Sequence, residues 1–166
     1  MGLEIERRIL LKKLPYLEYD EIHEINQYYG PTGRLRRVEI FDPKKNSDSG
    51  IVKYIRTVKT LISDGVNEED EEELSKKQFY LEVKNCEKHI SKKRFIKNIG
   101  KYKWEIDIFS NFHLIIAEIE VKTKEELRSV NIPSFIKENM ILDITGLKEF
   151  SNFILAEKWN YLEAYK

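Results

Sequence analysis

The stretch that most constrains the fold is Leu3-Glu4-Ile5-Glu6-Arg7-Arg8-Ile9-Leu10-Leu11. Successive side chains on a strand point to opposite faces, so Glu4, Glu6 and Arg8 share one face. Leu3, Ile5, Ile9 and Leu11 share the other, interrupted only by Arg7. Carboxylate oxygens bind hard cations and guanidinium groups pair with phosphate oxygens, so this row could hold a metal–phosphate complex. A solvent-facing strand with salt-bridging charges reads the same way. Recurrence of the pattern further along the chain is what weighs between the two.

Taken in order, Pro15 breaks the first strand, and a second strand is expected over residues 22–29. A Gly30-Pro31-Thr32-Gly33 turn leads to a third strand over 34–41, with Arg34 and Arg36 on one face. A fourth is expected over 51–60, with Thr57 and Lys59 in phase. The acidic run 63–73 reads as a solvated loop. Residues 74–89 carry an imperfect helical stripe of Leu74, Phe79, Leu81, Val83 and Cys86.

Strands are expected again over 90–98, with Lys92 and Arg94 in phase, and over 102–109, where Glu105 and Asp107 alternate with Trp104, Ile106 and Ile108. Another covers 114–122, with Ile115, Ala117, Ile119 and Val121 opposite Glu118 and Glu120. A short helix follows over 124–130, then a break at Ile132-Pro133 and a short strand or turn over 142–145. The closing helix is expected over 146–165, burying Phe150, Phe153, Ile154, Ala156 and Trp159. No internal repeat or linker appears, so residues 1–166 read as one domain.

The polar faces collect acids at Glu4, Glu6, Glu105, Asp107, Glu118 and Glu120, and bases at Arg8, Arg34, Arg36, Lys59, Lys92 and Arg94. An antiparallel sheet closed into a barrel would turn these faces inward and its apolar faces outward against helices. A flat sheet with a solvated charged face satisfies the alternation equally.

Charged residues make up 35% of the chain, yet 29 Lys and Arg balance 29 Asp and Glu. That neutrality argues against a broad nucleic-acid footprint, but not against a small anion in a local basic pocket. Cys86 is the single cysteine, which excludes an intrachain disulfide and CxxC-type metal sites. No signal-peptide pattern and no apolar run of spanning length is present, so a soluble, cytoplasmic protein without membrane partners is expected. Met1-Gly2 does not make a myristoylation signal, because Glu6 stands where Ser or Thr is required. His23, His89 and His113 are scattered and read as ordinary histidines. No Ser/His/Asp or Cys/His arrangement is apparent, which argues against a protein nucleophile.

The sequence resembles the CYTH domain, or triphosphate tunnel metalloenzyme, superfamily. The hallmark Glu-x-Glu-x-Lys strand is matched by Glu4-Ile5-Glu6-Arg7-Arg8, with Arg8 in place of the Lys. The resemblance continues through Gln27-Tyr28-Tyr29, Arg34-Leu35-Arg36, Thr57-Val58-Lys59, Lys92-Lys93-Arg94, Trp104 to Phe109 and Ala117 to Val121. It ends with Asp143-Ile144-Thr145-Gly146 and Ser151-Asn152-Phe153-Ile154-Leu155-Ala156, where Asp143 stands in place of a common Glu. The motifs run in family order over nearly the whole chain, though the segment 74–89 and its acidic lead-in match poorly.

The resemblance implies an α+β fold: an eight-stranded antiparallel β-barrel with a charged interior and helices packed outside. It implies that Glu4, Glu6, Glu118 and Glu120 bind one or two Mg²⁺ or Mn²⁺ ions, with Arg8 beside them in catalysis. Arg8, Arg34, Arg36, Lys59, Lys92 and Arg94 would clamp the phosphates, with Asp107 holding a Lys or Arg in place or helping a metal through water. Tyr29 is a candidate substrate contact or a core tyrosine.

The implied activity is metal-dependent hydrolysis of the terminal phosphoanhydride of inorganic triphosphate, or of a nucleoside or organic triphosphate, by metal-activated water. Alternatives are an RNA 5′-triphosphatase, a class IV adenylyl cyclase making cyclic AMP from ATP, and a non-catalytic triphosphate- or polyphosphate-binding module. A small-molecule triphosphate is the expected partner, ahead of an RNA 5′ end.

Overall fold

The computed structural model describes residues 2–46, 48–63, 66–110 and 112–164, with backbone alone for 159–164. Its strands are β1 (Gly2–Leu11), β2 (Glu21–Gly30), β3 (Gly33–Phe41), β4 (Ile51–Ser63), β5 (Val66–Glu73), β6 (Lys88–Ile99), β7 (Tyr102–Phe109), β8 (Ile115–Val121) and β9 (Met140–Asp143). The helices are α1 (Lys76–Val83), α2 (Lys124–Ser129), α3 (Ser134–Lys137) and α4 (Asn152–Ala164), with a 3₁₀ turn at Lys148–Phe150 before the last.

The strands run β5-β4-β3-β2-β6-β7-β8-β1, and β5 pairs back onto β1. Every pairing is antiparallel, so the eight strands close into a barrel, and β9 adds a short ladder to the end of β1. Closure decides between the two arrangements the alternation left open: the charged faces are inside.

The apolar outer faces carry the main core. Ile5, Ile9 and Leu11 of β1, Trp104 and Ile106 of β7 and Ala117, Ile119 and Val121 of β8 pack with Val130 and Ile136 from the segment through α2 and α3. Thr123 caps α2 by accepting from the Glu126 N–H, and the Glu126 carboxylate accepts from the Lys122 N–H in return. This reciprocal cap supports a helix too short to persist alone. A second outer cluster sets Phe79 of α1 on Leu35 and Leu74.

Gly33 closes the two-residue β2–β3 turn at φ 115°, and a Cβ there would stand 2.6 Å from the Thr57 carbonyl oxygen. Only glycine lets β3 begin this close to β4.

Three expectations need correction. The acidic run 63–73 is not a loop: it supplies the end of β4 and all of β5, the strand that closes the barrel. Asp64 and Gly65 lie outside the described residues. The helix expected over 74–89 is confined to Lys76–Val83, starting at Ser75, whose side chain accepts from Gln78 N, with Leu81 exposed. The closing helix begins at Asn152, and the buried pair is Leu155 and Ala156 while Phe153 is exposed. The Trp159 side chain lies outside the described residues.

α4 does not lie along the outer wall. Leu155 and Ala156 pack on Ile90, Phe109 and Ile116, which stand in the same phases as Lys92, Asp107 and Glu118. α4 therefore closes part of one barrel end with an apolar plug.

Candidate active site

The inward rows meet in a chamber of about 210 Å³. Glu4 and Glu6 of β1, Arg34 and Arg36 of β3, Lys59 of β4, Lys92 and Arg94 of β6 and Glu118 and Glu120 of β8 all line it. These are nine of the eleven residues to which the resemblance gave a metal, phosphate or positioning role, and Glu105 lines the chamber with them. Strand register explains the gathering: Glu6 lies opposite Glu120 and Arg8 opposite Glu118 across β1 and β8. Of the remaining two, Arg8 borders an adjoining cavity and Asp107 lies fully buried beneath the lysine and arginine it holds.

One wall is paired internally. Asp107 accepts from Lys92 Nζ at 2.7 Å and from Arg94 Nε and Nη2 at 2.7 and 2.9 Å. Burial alone would raise its pKa, but the two cations hold it well below the usual carboxylate range. Burial pulls Lys92 down to about 8 despite that partner. Arg94 also reaches Glu105 and lies 3.9 Å from Glu118, whose other oxygen accepts from Arg8 Nε at 3.1 Å. Arg8 is fixed in turn by donating to the Phe150 carbonyl at 2.8 Å. Burial would raise Glu118, but Arg8 brings it below the ordinary value.

The other wall is not balanced in this way. Burial, then the charges of Glu118 and Glu4, push Glu6 up to about 8. Burial, then Glu4 and Glu105, also raise Glu120. Glu4 is held below its usual value against the effect of burial by Lys59, 2.5 Å away. Glu69 of β5 is raised to about 7 by burial and by its hydrogen bond with Glu4.

Glu69 and Glu71 are the residues that sequence reasoning missed. They pair with Arg34 at 3.2 Å and Arg36 at 2.9 Å, the two inward-facing arginines of β3. Their period-2 spacing with Asn67 was the available signal, and the lack of apolar partners beyond Val66 hid it. Asp143, by contrast, lies outside the barrel, 3.5 Å from Arg7. Tyr29 accepts from Gln27 Nε2 at 2.6 Å and borders the adjoining cavity.

Arg34 Nε and Arg36 Nε of the chamber, and Arg8 Nη2 of the residue bordering the adjoining cavity, are buried without a hydrogen-bond partner among the described residues. Burial and the neighbouring Arg34 pull Arg36 down to about 10. Buried donors without acceptors are costly and rare. The cluster is suited to an anion with several oxygens, because guanidinium groups bind such oxygens in forked pairs.

The carboxylates offer the hard oxygen ligands that a divalent cation prefers, and Glu6, raised first by burial and then by its carboxylate neighbours, makes no ion pair among the described residues. Among the described residues no three of His, Cys, Asp or Glu stand close enough to share one ion as they are placed. Glu4 is turned to Lys59 and Glu118 to Arg8, so the chemistry fits a metal while the side chains are engaged with each other.

The closed eight-stranded barrel, with carboxylates and cations on facing interior walls, is the fold that the resemblance implied. The sequence's likeness to the CYTH superfamily therefore holds at the level of the fold. Among solved structures, the inorganic triphosphatase NE1496 superimposes with a TM-score of 0.57 at 21% identity, over 94% of this chain and 95% of that one. A second structure of NE1496 gives 0.56, also at 21% identity, over 92% and 97%. The PH1819 protein of Pyrococcus horikoshii gives 0.51 at 19% identity, over 76% and 82%. No family model and no curated protein matches the sequence. No described helix is long and apolar enough to cross a membrane.

Proposed function

We propose that this chain is a metal-dependent triphosphatase, cleaving the terminal phosphoanhydride of a triphosphate held inside the barrel. The observation that carries this reading is one chamber in which Arg34 and Arg36 each keep a buried Nε without an acceptor while Glu6 and Glu120 make no ion pair among the described residues. A triphosphate with a divalent metal supplies acceptors to the first and a cation to the second.

Arg34, Arg36, Lys59, Lys92 and Arg94 bind the phosphate oxygens, and Arg8 reaches them from the adjoining cavity. Asp107 is a positioning residue: it fixes Lys92 and Arg94, both of which line the chamber. Glu4, Glu6, Glu118 and Glu120 would hold Mg²⁺ or Mn²⁺, both of which suit oxygen ligation. Such an ion, when bound, offsets phosphate charge and makes water a better nucleophile. Entry of substrate draws Arg34 and Arg36 from Glu69 and Glu71, replacing one set of anions with another. A pure anion receptor would gain nothing from so many acids, which favours turnover over storage. The NE1496 likeness supports the same direction through its fold.

The test is phosphate release from tripolyphosphate, ATP, thiamine triphosphate and a 5′-triphosphate RNA, with Mg²⁺ and then Mn²⁺, with cyclic AMP assayed alongside. Metal-dependent release that is lost in Glu6→Gln supports the proposal. Cyclic AMP from ATP would move the reading to a cyclase. Binding of triphosphate with no product from any substrate would leave the binding-module reading.

A further inference from the structure

The charged chamber opens into a second, larger space. A cavity of about 870 Å³ lies between α4, the β2–β3 turn and the end of β4, and Glu6, Arg34, Lys59 and Asn152 border both spaces. Its size falls within the roughly 300–1,000 Å³ range of pockets that bury organic ligands.

Its wall is of a different kind from the chamber's. Pro31, Val58, Leu61, Leu147, Phe153 and Ile154 contribute apolar surface. Four of them are well exposed: Val58 50%, Leu61 54%, Leu147 42% and Phe153 45%. Exposed apolar side chains scattered singly need no explanation, but a group gathered round one opening does. Phe153 stands edge-on to Tyr29 with ring centroids 5.3 Å apart, and Lys88 lies 4.0 Å from the Phe153 centroid. These contacts give the opening an aromatic wall held at a fixed angle.

Inorganic tripolyphosphate is charged along its whole length: it can use the basic residues that also border this cavity, Arg8, Arg34, Lys59, Lys88 and Lys148, but gains nothing from the apolar surface. A triphosphate ester does, because its terminal phosphates can occupy the chamber while its organic group covers the apolar surface. We propose that the mouth cavity is the subsite for the organic group of a triphosphate ester bearing an aromatic ring system, and that such an ester is preferred over tripolyphosphate. The proposal rests on the triphosphatase reading above and narrows its substrate class.

The experiment compares kcat/KM for phosphate release from tripolyphosphate with that from ATP, UTP and thiamine triphosphate. It uses the full chain and its Phe153→Ala and Leu61→Ser variants, each checked for folding by thermal melting. The wild type is expected to favour at least one ester over tripolyphosphate. In each variant, the ester-to-tripolyphosphate ratio of kcat/KM is expected to fall about tenfold. Using the ratio removes any shared effect of the substitution on the barrel. Wild-type preference for tripolyphosphate over all three esters, or an unchanged ratio in both variants, would overturn the subsite and leave the triphosphatase standing. No release from any of the four would overturn both.

Discussion

The two walls of the chamber use the same residue types to opposite effect. On β6 and β7, Asp107 is fully buried between Lys92 and Arg94 and is held below the usual carboxylate range. On β1 and β8, Glu6 faces Glu120 across the ladder and is pushed up to about 8. The first wall is satisfied by the protein alone; on the second, Glu4 turns to Lys59 and Glu118 to Arg8, while Glu6 and Glu120 make no ion pair among the described residues. A buried pair missing one partner is worse than no pair, so on the proposed function the first wall is scaffold and the second is the part that responds to ligand.

The largest expected effect comes from breaking the scaffold. Asp107→Asn leaves two buried cations without their shared anion and should cost about 3–5 kcal/mol, read by chemical denaturation. Next, Glu6→Gln should lower metal-dependent turnover about a hundredfold or more while raising the melting temperature of the metal-free protein. The same substitution thus separates a ligand of the ion from a mere structural acid, which would lose stability instead.

A pH series sharpens the contrast without mutation. Glu6 has a folded pKa near 8 against an ordinary 4.5, so the folded state binds the extra proton between those values. Stability of the metal-free protein should therefore be highest below about pH 4.5 as far as this group is concerned, and fall as pH rises to 8. Glu69, raised to about 7, adds to the same slope. A melting series in chelator should show this decline, and a saturating divalent metal should flatten it. The smallest effect belongs outside the barrel, where Arg56 pairs with Glu72 and with Glu82. Glu72→Ala should change stability by about 0.2–1 kcal/mol and leave turnover unaltered, by the same two assays.

How much of this was legible in the sequence differs by wall. β1, β7 and β8 alternate charge with Ile, Val and Trp, so which residues share a face could be read from the period of two, while the side that turns inward followed only from closure. β5 could not be read so, because Asn67 to Glu73 contains no apolar residue to mark a buried face. Its strand is specified by charges on its neighbour: Glu69 lies opposite Lys59, Glu71 opposite Thr57 and Glu72 opposite Arg56. Pairing information of that kind lies between strands rather than within one. The same limit hid Glu69 and Glu71 as counterions of Arg34 and Arg36, although both arginines were identified. Likewise, the Ser151-Asn152 segment was recognised, but the position of α4 across a barrel end depends on Ile90, Phe109 and Ile116 meeting there.

The most direct measurement is the melting temperature at pH 8.5, with and without Mn²⁺, for the wild type and Glu6→Gln. The account predicts a clear Mn²⁺-dependent rise in the wild type that is absent or much reduced in the variant, whose metal-free protein melts higher than the metal-free wild type. An equal rise in both proteins, or none in the wild type, would contradict the assignment of this carboxylate wall to a metal.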